Sequence, residues 1–488
     1  MIKGLEALEA PGDSYSVCLY DIWSFLKVGS KFFPIYFTPC THFLRSAFRK
    51  PKQPIPHMRK MSSPSIAAVL YAASIAAPSI PGTRPDDEAT KTKAHHVKGG
   101  GFNNPWPSWH LLSGWQIGKA LLSRRWSGTA NIPDTTPPTV PVHQPDFLPS
   151  RENPSGKLRA TWLGHACYYV EFPSGLRVLF DPVFQDRCSP FSWLGPKRYT
   201  KMPCEIKDIP IIDAVVISHN HYDHLSHPTV TEIAKRHPDC HFFVPLGNKK
   251  WFAACGIRNC TELDWWEDVD FTLTPTSRTS SVAGKSSQRT SVTSTADNKT
   301  TAQPSANIIA ARISCLPCQH ISARTLTDRA ATLWASWAVT SNPSNSSSST
   351  KTPTSVYFAG DTGYRAVPRS PTGREYDDWA PEYDGLPTCP AFSSIGALRG
   401  PFTLGLIPIG AYMPRWIMSP MHADPRDAVH IFKDTRCENA LGMHWGTWVL
   451  TEEDVLEPPK KLKEALRIHG IEEEGVFDVV DIGASREY

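Results

Sequence analysis

The stretch ISHNHYDHL, residues 217–225, decides how the rest of this 488-residue sequence is interpreted. It places His219, His221, Asp223 and His224 within six positions, directly after the apolar run AVVI. Imidazole nitrogens and carboxylate oxygens are ligands that zinc takes at catalytic sites. Because AVVI is typical of a buried strand that ends at the motif, the chain should turn here, with the first two histidines facing one metal and the remaining pair facing a second. A histidine-rich surface loop is the alternative, since the chain holds 18 histidines.

Further ligands are expected at the ends of three later strands. ISCLPCQH ends in His320, VYFAGDTGY projects Asp361 from a strand end, and ALGMHWGTW ends a strand at His444. Each segment alone is a weak signal, because a single histidine at a strand end is more often structural. In this order, however, they bring the set to five histidines and two aspartates, about what two metals bridged by one carboxylate require.

The amino-acid composition argues against several classes of protein. The chain is long enough to bury a large core, and its formal net charge of +4 argues against a strongly basic nucleic-acid binder, so no nucleic-acid partner is expected. The 12 cysteines lack a paired framework and favour reduced thiols over a disulfide scaffold. CLPC, residues 315–318, has no second CxxC at zinc-finger spacing, and its cysteines are interpreted as small apolar side chains.

Residues 1–96 differ from the rest and are predicted to be a disordered or targeting N-terminal segment. From Met58 the sequence has a basic start, an apolar centre at 66–77 and small residues afterwards. That length suits a targeting signal, whereas a membrane-spanning helix needs about 20 apolar residues. The position suits a signal only if translation begins at Met58 or Met61, and a disordered tail is the alternative.

Residues 97–488 are predicted to form one α/β domain. Runs rich in Val, Ile, Tyr and Trp, such as LRATWLGHACYYVEF at 158–172, are bounded by Gly, Pro and Asp and are typical of strands. HPTVTEIAKRHP, residues 227–238, is typical of a short helix, and the alternation continues to the end of the chain. Two Ser/Thr-rich inserts, 276–306 and 341–355, are predicted to be mobile loops, because they bury too little apolar area to become ordered.

The order of the motifs resembles that of the metallo-β-lactamase superfamily: H-x-H-x-D-H, a distant His, G-D-T-G and a final His. Other segments narrow the resemblance to the N-acyl-phosphatidylethanolamine-hydrolysing phospholipase D family. They are FNNPWPSW, WLGHACYYVEF, DPVF, GPKRY, IDAVVISHNHYDHL, TLWASWAV, YFAGDTGY, HADPRDAVHIFKD and HWGTW followed by LEPP. The resemblance runs from about Gly99 to Val480, about four-fifths of the chain, and fails over the first 96 residues and the two inserts.

This resemblance implies a metallo-β-lactamase αββα sandwich, with two mixed sheets and outer helices, over residues 97–488. It also implies two Zn²⁺ per chain, bridged by Asp361. The ligands of one ion would be His219, His221 and His320, and those of the other Asp223, His224 and His444. The family further implies a membrane-associated, homodimeric phospholipase D that releases N-acylethanolamine and phosphatidic acid from a phospholipid substrate.

Two zinc ions about 3.5–4 Å apart activate a water near neutral pH and neutralise a phosphoryl oxygen during in-line attack, so a phosphodiester suits this site. Either Asp223 or a water protonates the departing ethanolamine oxygen, and the sequence leaves both open. His422 resembles a substrate-contacting position of the family and is a second catalytic candidate, with a structural role at a helix N-terminus as the alternative. Tyr222 and Trp193 are candidate substrate contacts.

His165 in LGHA and Asp181 in FDP follow strands that should flank the metals. Both are expected to orient ligand imidazoles by hydrogen bonds, or else to cap turns. Three positions depart from the family pattern: Ser192 and Trp193 stand where Gln and Tyr are expected, and Ile321 where Trp is expected. These departures bear on lipid specificity rather than on the metal ligands.

The stretch 103–126 carries four tryptophans with Lys and Arg between them. Such a stretch is typical of a helix lying at a membrane interface, or of one packed on the sandwich with solvated basic ends. The localisation prediction is a membrane-associated intracellular protein, with the mitochondrion as the candidate compartment. The alternatives for function are a hydrolase of this fold acting on another phosphodiester or a lactone, a di-iron oxygenase, and a non-catalytic lipid-binding protein.

Overall fold

A computed structural model of the protein describes residues 70–276, 307–325, 327–342, 353–370 and 378–488. The predictions for residues 1–69 and for most of both Ser/Thr-rich inserts fall outside these described residues and stay predictions. Within the described ranges, eight α-helices alternate with fifteen strands.

The strands carry the labels β1 to β15 in chain order. They are β1 (Leu70–Ala76), β2 (Arg159–Trp162), β3 (Tyr168–Glu171), β4 (Arg177–Phe180), β5 (Ala214–Val216), β6 (His241–Pro245), β7 (Cys260–Leu263), β8 (Asp268–Thr276), β9 (Ile309–Leu316), β10 (Ser336–Ser341), β11 (Thr354–Phe358), β12 (Leu404–Pro408), β13 (Ala440–Met443), β14 (Phe477–Asp478) and β15 (Ser485–Glu487).

The helices carry the labels α1 to α8. They are α1 (Glu88–Lys91), α2 (Gly114–Ser127), α3 (His227–Arg236), α4 (Lys249–Ala254), α5 (Ala391–Leu398), α6 (Arg415–Met418), α7 (Pro425–Asp434) and α8 (Glu457–Ile468). Two short 3₁₀-helices span Ile206–Asp208 and Pro381–Tyr383.

Two mixed sheets form the centre of the fold. The larger has eight strands in the order β1-β8-β9-β10-β11-β12-β13-β14, and the smaller has seven in the order β15-β2-β3-β4-β5-β6-β7. In each sheet one half is antiparallel and the other, β11 to β14 or β4 to β7, is parallel. The parallel halves need crossover connections, and these supply α3 to α8.

The sheets pack face to face because successive side chains of a strand point to opposite faces. In β3, Tyr168 and Val170 point into the central core between the sheets, whereas Tyr169 joins a second core on the outer face. Val230 and Ile233 of α3 cover that outer face, while α7 packs on β12, α5 and α8. The predicted αββα sandwich of two mixed sheets with outer helices is therefore confirmed.

All the strands that precede the predicted site residues end at one edge of the sandwich. β2, β4 and β5 run in the same direction in the smaller sheet, as do β9, β11 and β13 in the larger sheet. His165, Asp181 and His219 follow the first three strands, and His320, Asp361 and His444 follow the other three. Chain segments more than two hundred positions apart therefore meet at one edge.

The Trp-rich stretch 103–126 is helical only from Gly114 onward. Ser113 caps the helix by accepting a hydrogen bond from the backbone N–H of Gln116, whose side chain accepts in turn from the N–H of Ser113. Such a capping box fixes a helix start. Ahead of it, the Asn104 amide donates to the carbonyl of His320 at 2.7 Å, and the Ser108 hydroxyl donates to Gln319 at 2.5 Å. The segment before α2 is thus attached to a ligand-bearing strand end.

Residues 70–96, the described part of the predicted N-terminal segment, lie against the larger sheet. β1 pairs antiparallel with β8 over its whole length. Further on, the buried carboxylate of Asp264 binds three side chains at 2.8 Å each, those of Lys93, His95 and His96. Among the described residues, no helix combines the length and the apolar character needed to cross a membrane.

Candidate metal centre

The turn after β5 brings two histidines together with a third from a distant strand. His219 Nε2 lies 2.8 Å from His221 Nδ1, and His320 Nε2 lies 3.3 Å from the same atom. All three side chains are buried. Three imidazole nitrogens within 4.8 Å of one another can face one cation.

A second cluster lies beside the first. Asp223 Oδ2 is 3.3 Å from His224 Nε2 and 3.4 Å from His444 Nε2, again with every side chain buried. His444 follows β13, more than two hundred positions after the turn that supplies the other two groups. The ligand atoms of this cluster also lie within 4.8 Å of one another.

Asp361 lies between the two clusters. Its Oδ2 is 2.9 Å from His444 Nε2 and 3.1 Å from His224 Nε2, and it is also 3.8 Å from His320 Nε2. One carboxylate oxygen therefore faces nitrogens of both groups. The structure brings together all seven residues for which the sequence predicts metal ligation, with the predicted bridging carboxylate between them.

Several polar atoms of this centre lack hydrogen-bond partners and are placed to bind cations. Both oxygens of Asp361, His224 Nε2 and His444 Nε2 are buried and have no well-formed hydrogen bond to any described residue. A buried polar atom without a partner costs about 1–3 kcal/mol, and a divalent cation would satisfy several at once. The donor set of imidazoles and carboxylates suits zinc and also iron.

The charge states agree with this fit. Burial lowers the pKa of His221 to about 3 and that of His320 to about 4, so both rings are neutral at pH 7 and offer a lone pair. Burial acts in the same direction on His444, but the carboxylate of Asp361 outweighs it and raises the pKa of His444 to about 9. The buried carboxylates thus stabilise a positive charge close to His444. A bound divalent cation would provide that charge in place of the proton on the histidine.

Asp181 holds one ligand ring from behind. Its carboxylate accepts hydrogen bonds from His224 Nδ1 at 2.6 Å and from Ser218, through the backbone N–H at 2.7 Å and the hydroxyl at 2.5 Å. The Ser218 hydroxyl also lies 2.9 Å from His219 Nδ1. A ligand histidine commonly gives its second ring nitrogen to such a group, which fixes the ring's tautomer and orientation. Ser218 was not expected from sequence, although it directly precedes His219.

His165 approaches the second cluster from the strand end after β2. Its Nε2 lies 2.9 Å from Asp223 Oδ2, and its ring centroid is 4.1 Å from that of His444. Burial lowers the pKa of His165 to about 3, so the neutral ring donates to the carboxylate. His165, Asp181 and His444 all have left-handed backbones, with φ of 52°, 37° and 64°. Non-glycine residues in this region are strained and cluster at functional sites.

An apolar cavity opens onto the first histidine cluster. It encloses about 990 Å³ including its open mouth, and its lining joins His221, His320 and His422 to aliphatic side chains. One wall is the stripe Gly114, Ile117 and Leu121 of α2. Met413, Met418 and Met421 also line it, and Met418 packs in one small core with Ile117 and Leu121. In the sequence these methionines are marked by the Met-rich stretch YMPRWIMSPM, residues 412–421, although the stretch does not show that they line a cavity.

His422 borders both the cavity and the metal centre. Its Nδ1 is 3.9 Å from Asp361 Oδ2, and its ring centroid is 5.2 Å from that of His320. The ring is buried, and its backbone carbonyl accepts a hydrogen bond from Arg415 at 3.2 Å. His422 can therefore contact a ligand that enters through the cavity.

Two predicted substrate contacts lie away from the cavity lining. Tyr222 packs its ring under the guanidinium of Arg324, at 4.0 Å from the ring centroid. Trp193 is 71% exposed, and its ring is tilted against that of Phe191, with the centroids 5.6 Å apart. Neither residue lines the cavity, so their contact with substrate stays a prediction.

Comparison with known proteins adds independent support. The profile of the Beta-lactamase superfamily domain matches residues 176–377. The chain is 36% identical, over 354 residues, to the N-acyl-phosphatidylethanolamine-hydrolyzing phospholipase D 1 of Caenorhabditis elegans, covering 71% of this chain and 79% of that protein. It is 31% identical to the mitochondrial N-acyl-phosphatidylethanolamine-hydrolyzing phospholipase D of Saccharomyces cerevisiae, and it spans only 54% of that protein's length.

Among solved structures, Igni18, a metallo hydrolase of Ignicoccus hospitalis, matches 68% of this chain and 98% of its own. The two chains are 18% identical, with a TM-score of 0.40.

Proposed function

Because this chain belongs to the N-acyl-phosphatidylethanolamine-hydrolysing phospholipase D family, we propose that it hydrolyses N-acyl-phosphatidylethanolamine to N-acylethanolamine and phosphatidic acid. The observation that carries this proposal is that two of the seven clustered ligands, His221 and His320, line a cavity whose other walls are mainly apolar side chains. A charged centre beside apolar walls suits a phosphodiester that carries acyl chains.

We propose zinc as the metal, with two ions per chain. A bound pair of divalent cations makes water a nucleophile near neutral pH and neutralises the phosphoryl oxygens. The seven residues would hold that pair as the sequence predicts. The second ring nitrogens of three ligands are held by acceptors of the protein: Asp181 at His224, the Ser218 hydroxyl at His219, and the carbonyl of Met421 at His320.

The protein's own side chains would then bind and orient the lipid. The aliphatic walls hold acyl chain and exclude water, while His422 meets the head group between the cavity and Asp361. Water attacks phosphorus, the bond from phosphorus to the ethanolamine oxygen breaks, and that oxygen takes a proton. Burial raises the pKa of Asp223, but His224 and His165 outweigh it and hold the pKa well below its usual range. This favours a ligand role for Asp223, and its predicted proton donation stays a prediction.

The test is a product analysis with the purified full-length chain. N-acyl-phosphatidylethanolamine vesicles, phosphatidylcholine vesicles and simple lactones are supplied separately, and products are identified by mass. We expect N-acylethanolamine and phosphatidic acid from the first substrate. Faster turnover of a lactone or of phosphatidylcholine would instead favour another hydrolase of the fold, and fewer than one metal ion per chain would favour the non-catalytic alternative.

We also propose that α2 lies at a membrane surface. Trp115 and Trp126 are 75% and 83% exposed, and their spacing of eleven residues puts them on one face of the helix, about 16 Å apart. Lys119 is exposed on the same face, whereas Ile117 and Leu121 face the cavity. Indole rings and basic side chains are the groups that bind at a lipid interface. The predicted homodimer and the mitochondrial compartment stay predictions, although the yeast relative's name includes "mitochondrial".

Replacement of Trp115 and Trp126 with alanine is expected to weaken binding to vesicles by about tenfold or more. At roughly 25 cal/mol per Å², insertion of even ~60 Å² of one indole contributes about 1.5 kcal/mol. Co-sedimentation with phospholipid vesicles measures the effect. The control is Ile468→Ala, which removes an apolar side chain that is 54% exposed on α8. Unchanged sedimentation of the double variant would show that α2 is not the membrane contact.

A further inference from the structure

Arg324 connects the segment that follows His320 to the turn that carries four of the predicted ligands. Its Nη1 donates to two backbone carbonyls, those of Asn220 and Leu225, at 2.8 Å each. These carbonyls lie on either side of His221, Asp223 and His224 in the sequence. One guanidinium nitrogen therefore ties together the two ends of the ligand-bearing turn.

Two backbone hydrogen bonds within the turn share a single acceptor. The backbone N–H groups of His224 and Leu225 both donate to the carbonyl of His221, at 3.1 and 2.8 Å. The carbonyls of Asn220 and Leu225 point outward to the arginine instead. Without a donor at that position, two backbone acceptors lose their partner, and the chain on both sides of the ligands is free to shift.

Aromatic rings fix the plane of the guanidinium. It lies 4.0 Å from the ring centroid of Tyr222, which belongs to the turn itself, and 5.3 Å from that of Trp251 on α4. A planar cation suits such packing on two rings, whereas the compact ammonium of lysine does not stack in this way. The geometry is therefore specific to arginine.

The backbone of Arg324 is itself held in place. Asp328 Oδ1 accepts hydrogen bonds from the backbone N–H groups of Arg324 and Thr325, at 2.9 and 2.7 Å. The same segment begins at His320, whose ring belongs to the first histidine cluster. Arg324 thus couples the position of that distant ligand to the position of the turn.

We propose that Arg324 is a positioning residue that holds the ligands of the turn in register with His320 and so determines the affinity of the centre for divalent metal. Arg324 is neither one of the clustered ligands nor one of the residues that line the cavity, although its neighbours Ala323 and Thr325 line it. This role concerns metal binding alone and holds whichever phosphodiester is cleaved.

The test is metal affinity of the full-length chain, measured without lipid. Zinc is titrated into metal-free protein in competition with a chelating dye, and Co²⁺-loaded protein gives an absorption spectrum that reports ligand geometry. Arg324→Lys keeps the charge but loses the planar group that stacks on Tyr222 and places Nη1 between the two carbonyls. Groups that support metal ligands typically contribute 10–100-fold in affinity. We expect zinc binding at least about tenfold weaker, with an altered Co²⁺ spectrum.

The matched control is Arg312→Lys, a partly exposed arginine on β9 that binds Asp270 and the carbonyl of Ile80 at 3.0 Å each. It should leave zinc affinity and the Co²⁺ spectrum unchanged. If Arg324→Lys fails to fold, Asp328→Ala provides the second variant, because it keeps the guanidinium and frees the backbone N–H groups of Arg324 and Thr325. We expect it to weaken zinc binding several-fold. Wild-type affinity in the folded Arg324→Lys variant, or in Asp328→Ala alone if the first is unfolded, would overturn the proposal.

Discussion

Replacement of His219 with alanine is expected to reduce hydrolysis of N-acyl-phosphatidylethanolamine by at least about a hundredfold. Its Nε2 lies 2.8 Å from His221 Nδ1 and 4.0 Å from Asp361 Oδ2, so the first cluster loses one of its three nitrogens. Groups that merely support metal ligands typically contribute 10–100-fold, and removal of a ligand itself should reach or exceed the upper end. The assay is lipid hydrolysis, with metal content per chain measured on the same sample.

A matched histidine variant separates this effect from general damage. The His143 side chain is 55% exposed, and its ring lies 2.9 Å from the Asp481 carboxylate. His143 belongs to none of the clusters that could hold a metal among the described residues. His143→Ala should retain both activity and metal. If His219→Ala kept wild-type turnover with its metal content intact, the proposed centre would not be the site of catalysis.

Removal of the Asp181 carboxylate is expected to lower the free energy of unfolding of the metal-free protein by about 3–5 kcal/mol in Asp181→Ala. This is the range typical for loss of one partner from a buried charged pair. Three donors converge on the carboxylate at 2.5 to 2.7 Å, and each would be left buried without an acceptor. Denaturant unfolding monitored by tryptophan fluorescence, with metal removed by a chelator, measures the change.

Asp181→Asn separates loss of the carboxylate charge from loss of the whole side chain. Asparagine tolerates the left-handed backbone at φ 37° and keeps one acceptor oxygen, but its NH₂ group faces a donor. We expect a smaller loss of about 1–3 kcal/mol, together with weaker metal binding, because His224 loses its fixed orientation. Asp270→Asn, at a carboxylate that is 40% exposed and paired with Arg312, is the control and should change neither quantity. Equal stability of all three variants and wild type would mean that the hydrogen bonds to Asp181 contribute little.

Many of the strands and helices can be predicted from the local sequence pattern. The short apolar runs around β2 to β6 and the helix at 227–238 are visible in sequence because the boundaries are marked by Gly, Pro and Asp. The convergence of His219, His320, Asp361 and His444 could be expected because each ends a strand, and parallel strands share an edge. Spacing within the motif predicted two metals, and the family resemblance supplied the assignment of His320, His444 and Asp361 to them.

Other features depend on contacts between distant residues and leave no local signal. β1 pairs with β8 about two hundred positions later, within a segment whose composition suggested a tail. Asn104 binds the carbonyl of His320 across 216 positions. The role of Arg324 is equally hidden, because its partners are backbone carbonyls that any residue carries. The methionines of the cavity wall are ordinary core residues in sequence, and only the fold shows that they face an open space.

The left-handed backbones of His165 and His444 have a consequence for laboratory evolution. Asparagine and glycine adopt this conformation more readily than histidine does. In a library selected only for soluble expression, replacement of these histidines by asparagine or glycine would cost little backbone conformational energy. In a library selected for turnover, both histidines would be retained. Histidine kept at both positions is therefore a marker by which working variants can be separated from folded but inert ones before any assay is run.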